Sequence, residues 1–335
     1  MTPSPNAWRR LRSYALLTSY GVVAIGLGLF LGWLAIQQVE WRQMTALLGD
    51  INLLALLLAF ASVLAAAYLR GVRWKLLLWN EPITPRRLFL IEQAGIALDT
   101  LSFVRVLGVI VQIGILTVRD RIASATVLAT LAMQRTLEFG AITLLLTGGA
   151  LMLGPMRPYW PYLIASLVAA VAALTALFII GPSLRRVWLI SRLKMAHEFG
   201  DAVALLKAQP QRSALAFILS LVQSLLIGAG GWLLAFGLGL DLGLLTMIVV
   251  TLAVMFFGSY VPGLPMGFGT MEFATVTLLA LWDRSATDAV SFALALRAVL
   301  YLPPVFITVA FLPNEGLFSV PAFRRLLADA SGRPS

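Results

Sequence analysis

Long apolar runs separated by short basic clusters dominate the chain, and a run of about 20 apolar residues is enough to cross a bilayer as a helix. Tyr14–Ile36 is the first such run, after a basic arm at 1–13 carrying Arg9, Arg10 and Arg12. Its length, with no small-residue cleavage site behind it, predicts an anchor in place of a signal peptide. Gln37–Asp50 reads as a mixed outer loop. Ile51–Leu69 crosses back and ends in Arg70, Arg73 and Lys75. The remainder, Trp74–Trp79, reads as interfacial, because tryptophan favours the headgroup level. Ile122–Leu153 is too long for an upright crossing, so a tilted or broken helix is expected there. Pro155, Pro158 and Pro161, with Tyr159, Trp160 and Tyr162, predict an outer loop with an aromatic belt. Leu163–Ile180 crosses inward. After a polar connection at 181–212, Ser213–Leu240 crosses outward, with Gly228, Gly230 and Gly231 able to admit another helix closely. Val290–Leu312 is the last crossing, with a kink expected at Pro303-Pro304.

Two stretches break this pattern. Leu88–Thr117 is long enough to span but holds Glu92, Asp99 and Arg105, and it is basic at both ends, with Arg86 and Arg87 before it and Arg119 and Arg121 after. That predicts a hairpin entering from and returning to the cytoplasm, turning near Asp99–Ser102. A single span is the plainer alternative. Val261–Glu272 lies between the apolar runs Leu242–Tyr260 and Phe268–Trp282, and contains Pro262, Pro265, Gly263, Gly267, Gly269 and Glu272. Irregular backbone survives at membrane depth only where protein buries it or it lines a cavity. The loop that follows has no basic excess, so this second hairpin is expected to open to the outside. Two broken segments of opposite orientation outline an inverted repeat, whose site belongs near the midplane. No residue-level repeat accompanies it, so the symmetry rests on topology alone.

The expected fold is therefore an all-α polytopic membrane protein: about six full transmembrane helices plus two broken or re-entrant segments. It forms one integral domain over 1–335, with halves at 14–180 and 213–312, the cytoplasmic connection at 181–212 and a cytoplasmic tail at 313–335. Composition agrees: 60% of the residues are hydrophobic, 12% are charged and mean hydropathy is +0.91. Outer-membrane barrels are excluded, since their strands alternate and are not continuously apolar. The absence of cysteine removes disulfides, thiolate metal sites and cysteine nucleophiles, and the single histidine, His197 beside Glu198, reads as a solvated surface residue. The net charge of +10 follows the positive-inside rule. Only Arg42, Arg157 and Arg284 fall in outer loops and Arg105, Arg135 and Arg297 in apolar runs, with the rest beside cytoplasmic ends. That distribution places both termini in the cytoplasm and argues against nucleic acid as a partner.

Candidate chemistry lies in seven ionisable residues within or beside apolar runs: Glu92, Asp99, Arg105, Arg135, Glu138, Glu272 and Arg297. A charge at the centre of a lipid-facing helix costs roughly 2.5–3.5 kcal/mol, so these side chains must face the bundle interior and pair. Arg135 and Glu138, three apart, share a helix face and can pair internally. Glu272 stands in the first turn of a helix, where the dipole favours a carboxylate, and Arg297 on the next helix is its candidate partner. Such pairs either lock helices together or line a substrate path; a helix start of this kind can also hold a phosphate. Gly267-Phe268-Gly269 lacks the strand and βαβ unit of a dinucleotide site. P-loop, HExxH and Asp-x-Asp patterns are missing as well.

The order Pro262, Gly267, Gly269, Glu272, with Arg297 about one helix later, resembles the C-terminal signature of the lysylphosphatidylglycerol synthase transmembrane family. Arg70-Gly71-Val72-Arg73-Trp74 resembles its Arg-Trp element, and Gln134-Arg135-Thr136-Leu137-Glu138 its Glu-Arg-x-x-Asp element. The resemblance spans roughly 14–312. It departs in the first hairpin, where the family's Pro-x-Arg-x-Gly-Glu-x-x-Arg run is replaced by Phe103–Gln112 and only Arg105 has a counterpart. The resemblance implies a stand-alone bacterial or archaeal inner-membrane protein that translocates a polar or charged lipid through a central polar cavity. It does not imply lipid aminoacylation, because the segment after Leu312 is too short for the soluble synthase domain. Glu272, Arg297, Gly267, Gly269, Pro262, Arg135, Glu138, Arg105, Asp99 and Glu92 are the expected translocation residues. No cofactor or metal is expected. The expected partner is a membrane lipid, with a homo-oligomer or an envelope-synthesis partner left open. The alternative reading is a membrane-embedded transferase, or an accessory subunit of one, in lipid or cell-envelope glycan synthesis; a scaffold is a third.

Overall fold

The computed structural model describes residues 23, 25–102, 107–183, 200, 203–204, 207–260 and 264–315. The arm at 1–13, Arg105, Pro262, His197 with most of the connection at 181–212, and the tail beyond Glu315 lie outside the described residues. Every regular element within them is helical. α1 is Ile25–Ile36, α2 Trp41–Gly49, α3 Leu53–Leu77, α4 Pro85–Leu101 and α5 Leu107–Gly114, which continues as a π-helical turn over Ile115–Arg119. α6 is Ser124–Met152, α7 Trp160–Ser183, α8 Pro210–Gly237, α9 Leu244–Tyr260, α10 Thr270–Leu279 and α11 Ala286–Phe311. Among the described residues, four segments are long and apolar enough to cross a membrane: α3, the stretch Gly154–Ala176 leading into α7, α8 and α11. Shorter apolar helices lie at Ile25–Ile36, Leu107–Arg119 and Leu244–Ser259.

Local chemistry fixes the helix starts. The Asn52 side chain accepts from the Ala55 N–H at 3.0 Å, Thr84 accepts from Arg87 N–H ahead of Pro85, and Ser285 accepts from Asp288 N–H at 3.1 Å. Each satisfies an N–H that a helix start leaves without an intrahelical partner. α3 packs most extensively on α8. A large core of α3, α6, α8, α9, α10 and α11 side chains holds the bundle together, with Phe292 and Met247 fully buried.

Each break in the hydrophobic pattern divides two helices, and the two hairpins open toward opposite ends of α11. The ends of the α4–α5 hairpin meet where Arg87 pairs with Asp120, Nε to Oδ1 at 3.3 Å, and with Glu315 just past the end of α11. The ends of the α9–α10 hairpin meet where Arg284 Nη2 donates to the Asp241 carbonyl at 2.5 Å, beside the start of α11. At that same end Asn52 N–H bonds the Gly237 carbonyl and Glu40 N–H bonds Thr287 Oγ1, each at 2.9 Å. The 26 residues of α11, about 39 Å of helix at 1.5 Å each, separate the two ends.

Two local expectations, a loop at Gln37–Asp50 and an interfacial Trp74, need correction, and two others are sharpened. Gln37–Asp50 is not simply a loop: Trp41–Gly49 is helical, because Met44 buries against Val39 and Val290. Of the two forms expected for Ile122–Leu153, tilted or broken, the break is absent: α6 runs unbroken for 29 residues, about 43 Å and longer than a hydrocarbon core, which agrees with the tilted form. Trp74 is not interfacial. α3 continues past Leu69 to Leu77, which carries Trp74 into the core at 0% exposure, its Nε1–H donated to Thr130 Oγ1 at 3.2 Å. At Pro303 and Pro304, the place of the expected kink, α11 is continuous helix, and neither proline can donate to the carbonyl a turn earlier.

Candidate functional site

A cavity of about 520 Å³ opens between the two breaks and is lined from α3 through α9 and by α11. Its apolar lining includes Ile142, Ala173, Met255, Phe256 and Leu300. Its polar lining includes Arg70, Gln93, Asp99, Arg135, Glu138 and Gln223. Met266 and Gly267, from the second break, and Pro303 and Pro304 of α11 line it as well.

The polar lining is built around Glu138. Its carboxylate ion-pairs with Arg70, stands 3.4 Å from Arg73 Nη2, and accepts from Gln223 Nε2 at 3.4 Å. Arg73 is wholly buried and also donates to Ser220 Oγ at 2.8 Å. Glu92 lies one layer deeper, accepting from Gln134 Nε2 at 3.0 and 3.2 Å, with Arg70 Nε 3.9 Å away. Burying charge is costly unless partners and hydrogen bonds compensate it, and here each buried carboxylate has both.

The expected internal Arg135–Glu138 pair is therefore not what forms. α3 continues helically through Arg70 and Arg73, three apart on one face, and sets both guanidinium groups against Glu138. Arg135 is left exposed on the cavity wall, with no hydrogen bond or ion pair among the described residues. Arg70 and Arg73 were read as a basic helix end. Their three-residue spacing, inside Arg70-Gly71-Val72-Arg73-Trp74, was the available signal for a shared internal face.

The expected Glu272–Arg297 pair does form, and it lies behind the cavity lining. Arg297 Nη1 contacts Glu272 Oε1, Nε donates to the Met266 carbonyl at 3.1 Å, and Nη2 reaches the Gly267 carbonyl at 3.3 Å. Its guanidinium lies 3.9 Å over the Phe268 ring. Glu272 Oε2 accepts from the Gly269 N–H at 2.8 Å, capping α10. Gly267 and Gly269 adopt φ of +67° and +83°, and Met266 +60°. Positive φ suits glycine and strains other residues, so the loop is a strained turn held by one arginine. Gly32 of α1 covers it from the other side, so close that a Cβ there would stand 3.3 Å from the Gly269 Cα. Gly28 and Gly32, four apart, were not singled out in the sequence, although small residues at that spacing mark close helix approach.

Asp99 plays a parallel part in the first break. It lines the cavity, and its Oδ1 accepts from the Gly108 N–H at the start of α5 at 2.7 Å. Each break is thus tied by a carboxylate to an N–H at the start of the helix that follows. Of the expected site residues, Arg135, Glu138, Asp99 and Gly267 line the cavity, while Glu92, Glu272, Arg297 and Gly269 support its walls. Among the described residues, no cluster of three His, Asp or Glu side chains is placed to hold a metal ion.

Helices crossing an apolar bundle, two breaks held by buried charges and a polar cavity between them define a multi-pass helical membrane protein. Residues 21–307 match the family described as the lysylphosphatidylglycerol synthase TM region, and the chain belongs to that family. No curated protein matches the chain.

Proposed function

We propose that this protein moves a polar or charged lipid between the leaflets of the bacterial or archaeal cytoplasmic membrane. The observation that carries the reading is the cavity itself, whose lining combines apolar side chains suited to acyl chains with charged ones suited to a headgroup. A headgroup in bare hydrocarbon would leave its polar atoms unsatisfied; here Arg70, Glu138 and Gln223 replace water along the path. The opposed hairpins support an inverted repeat over 14–180 and 213–312 within one integral domain, with re-entrant segments meeting near the midplane. Motion of either break would expose the cavity to one side at a time. In this reading both termini face the cytoplasm, as the basic clusters require.

The test is reconstitution of the purified chain in liposomes containing a lipid with a fluorescent headgroup, followed by addition of a membrane-impermeant quencher. The expected result is that quenching proceeds beyond the outer-leaflet half, at a rate that scales with protein copies per vesicle. Quenching that stops at the half, as in protein-free vesicles, for anionic, zwitterionic and cationic lipids alike, would dismiss translocation. Transfer of a radiolabelled headgroup in the same vesicles would point instead to a transferase.

A further inference from the structure

We infer that the cavity selects a lipid with an anionic phosphate headgroup, held by Arg135, and discriminates against a cationic, aminoacylated one. The inference rests on the lipid reading above and adds the charge class of the lipid. Every carboxylate in or beside the cavity is already engaged. Glu138 takes Arg70, Arg73 and Gln223, Glu92 takes Gln134 and Arg70, Asp99 takes the Gly108 N–H, and Glu272 takes Arg297 and the Gly269 N–H. Glu138, Glu92 and Glu272 are buried and already face arginines, so a cationic headgroup would have to displace one of those to use them, and removing a partner from a buried charge is strongly unfavourable.

The cavity's spare capacity is of the opposite kind. Arg135 is an exposed guanidinium on the cavity wall, with no hydrogen bond or ion pair among the described residues. Guanidinium presents a planar fork that matches phosphate oxygens two at a time. A second observation points the same way. Gln93, also on the cavity wall and only 1% exposed, leaves its Nε2 donor without a hydrogen-bond partner. A buried amide N–H left unsatisfied is unfavourable, and an oxygen-rich anion would satisfy it. Gln223, another lining residue, donates its Nε2 to Glu138, which leaves its Oε1 as a buried acceptor without a hydrogen-bond partner. A phosphate diester bearing a free hydroxyl uses all three: its oxygens on Arg135 and Gln93, its hydroxyl on Gln223.

The test measures binding to the full-length chain in a neutral nanodisc. Fluorescent phosphatidylglycerol is the probe, and unlabelled phosphatidylglycerol, phosphatidylcholine, lysylphosphatidylglycerol and soluble glycerol phosphate are the competitors. Phosphatidylglycerol is expected to compete at least about tenfold better than the other three, the scale of one well-placed charge-assisted pair. Arg135→Gln should weaken probe binding about tenfold, Arg135→Lys should keep part of it, and Gln93→Leu should weaken it a few-fold, all with the thermal midpoint of the wild type. Equal competition by lysylphosphatidylglycerol, or Arg135→Gln binding like wild type, would overturn the inference. Glycerol phosphate competing as well as the lipid would reassign the site to a soluble phosphate ester and also overturn it. Headgroup-selective binding without leaflet exchange would leave this inference standing and remove the translocation reading. Exchange with no headgroup preference would do the reverse.

Discussion

Arg297 reaches from α11 to Glu272 in the first turn of α10, and the same guanidinium takes the carbonyl oxygens of Met266 and Gly267. One side chain thus neutralises a buried carboxylate and fixes the backbone of the loop on the cavity wall. Arg297 and Glu272 are 3% and 5% exposed, so either left alone would be a buried, uncompensated charge. Arg297→Ala and Glu272→Ala are each expected to destabilise the protein by about 3–5 kcal/mol, with the double variant well short of the sum. Thermal unfolding in detergent checks this, and an additive double variant would show that the pair is not coupled.

Glu138 and Arg135 lie on the same helix but should respond oppositely to removal. Glu138→Gln leaves buried Arg73 without its carboxylate and Arg70 with only Glu92, 3.9 Å away, and a loss of several kcal/mol is expected. Arg135→Gln removes an exposed group that makes none of the hydrogen bonds or salt bridges around Glu138, so stability should change by no more than about 0.5 kcal/mol. Comparing the two melting temperatures decides it. Equal losses would place Arg135 inside the network.

Gly269 cannot carry a side chain without strain, because its φ is +83° and α1 lies directly over it. Gly269→Ala should cost about 1–3 kcal/mol from backbone conformation alone, and more once Gly28 and Gly32 are displaced. Gly32→Val should lower the melting temperature through contact alone. If Gly32→Val behaves as wild type, α1 does not seat on the break.

At the opposite end of α11, Glu315 holds Arg87 and lies 4.0 Å from Arg119, while Asp120 also faces Arg87. Burial raises the Asp120 carboxyl above its ordinary range, with Arg87 opposing the shift. A raised acid binds its proton more tightly in the folded state, so its contribution favours folding at low pH and is lost as pH rises through the folded value. Asp120→Asn should therefore flatten the pH dependence of stability just above the ordinary carboxylate range and leave neutral-pH stability unchanged or slightly higher. Glu315→Gln, which takes one of its two counter-charges from Arg87, should lower stability at neutral pH. Melting curves from pH 4 upward separate the two; a steeper pH dependence in Asp120→Asn would contradict the assignment.

Apolar run lengths were enough to foresee the helical membrane fold, and the Pro/Gly stretch to foresee the second break. Both depend on local properties: continuous hydrophobicity and backbone that cannot stay helical. The Glu272–Arg297 pair was also legible, because a first-turn carboxylate needs a cation and the next helix offers one. The partners of Glu138 were not. Sequence proximity favoured Arg135, whereas the tertiary fold brings in Arg70 and Arg73 from another helix, and a positive charge near a helix end reads the same whether it meets headgroups or a buried carboxylate. The amides Gln93 and Gln223 escaped notice for a similar reason: an uncharged polar residue in an apolar run gives little signal until its neighbours are known. The seating of α1 on the second break depended on recognising Gly28 and Gly32 as a packing face.

The central claim is that lipid passes through this cavity, and the most direct measurement plugs it. Ala173 is exposed on the cavity wall, so Ala173→Trp adds bulk to the path without opening the core. Leaflet exchange of a headgroup-labelled phosphatidylglycerol should be faster with wild-type protein than in empty liposomes and should fall at least about tenfold in Ala173→Trp, at an unchanged melting temperature. Exchange at the wild-type rate in the plugged protein would place the lipid's route elsewhere and contradict the account.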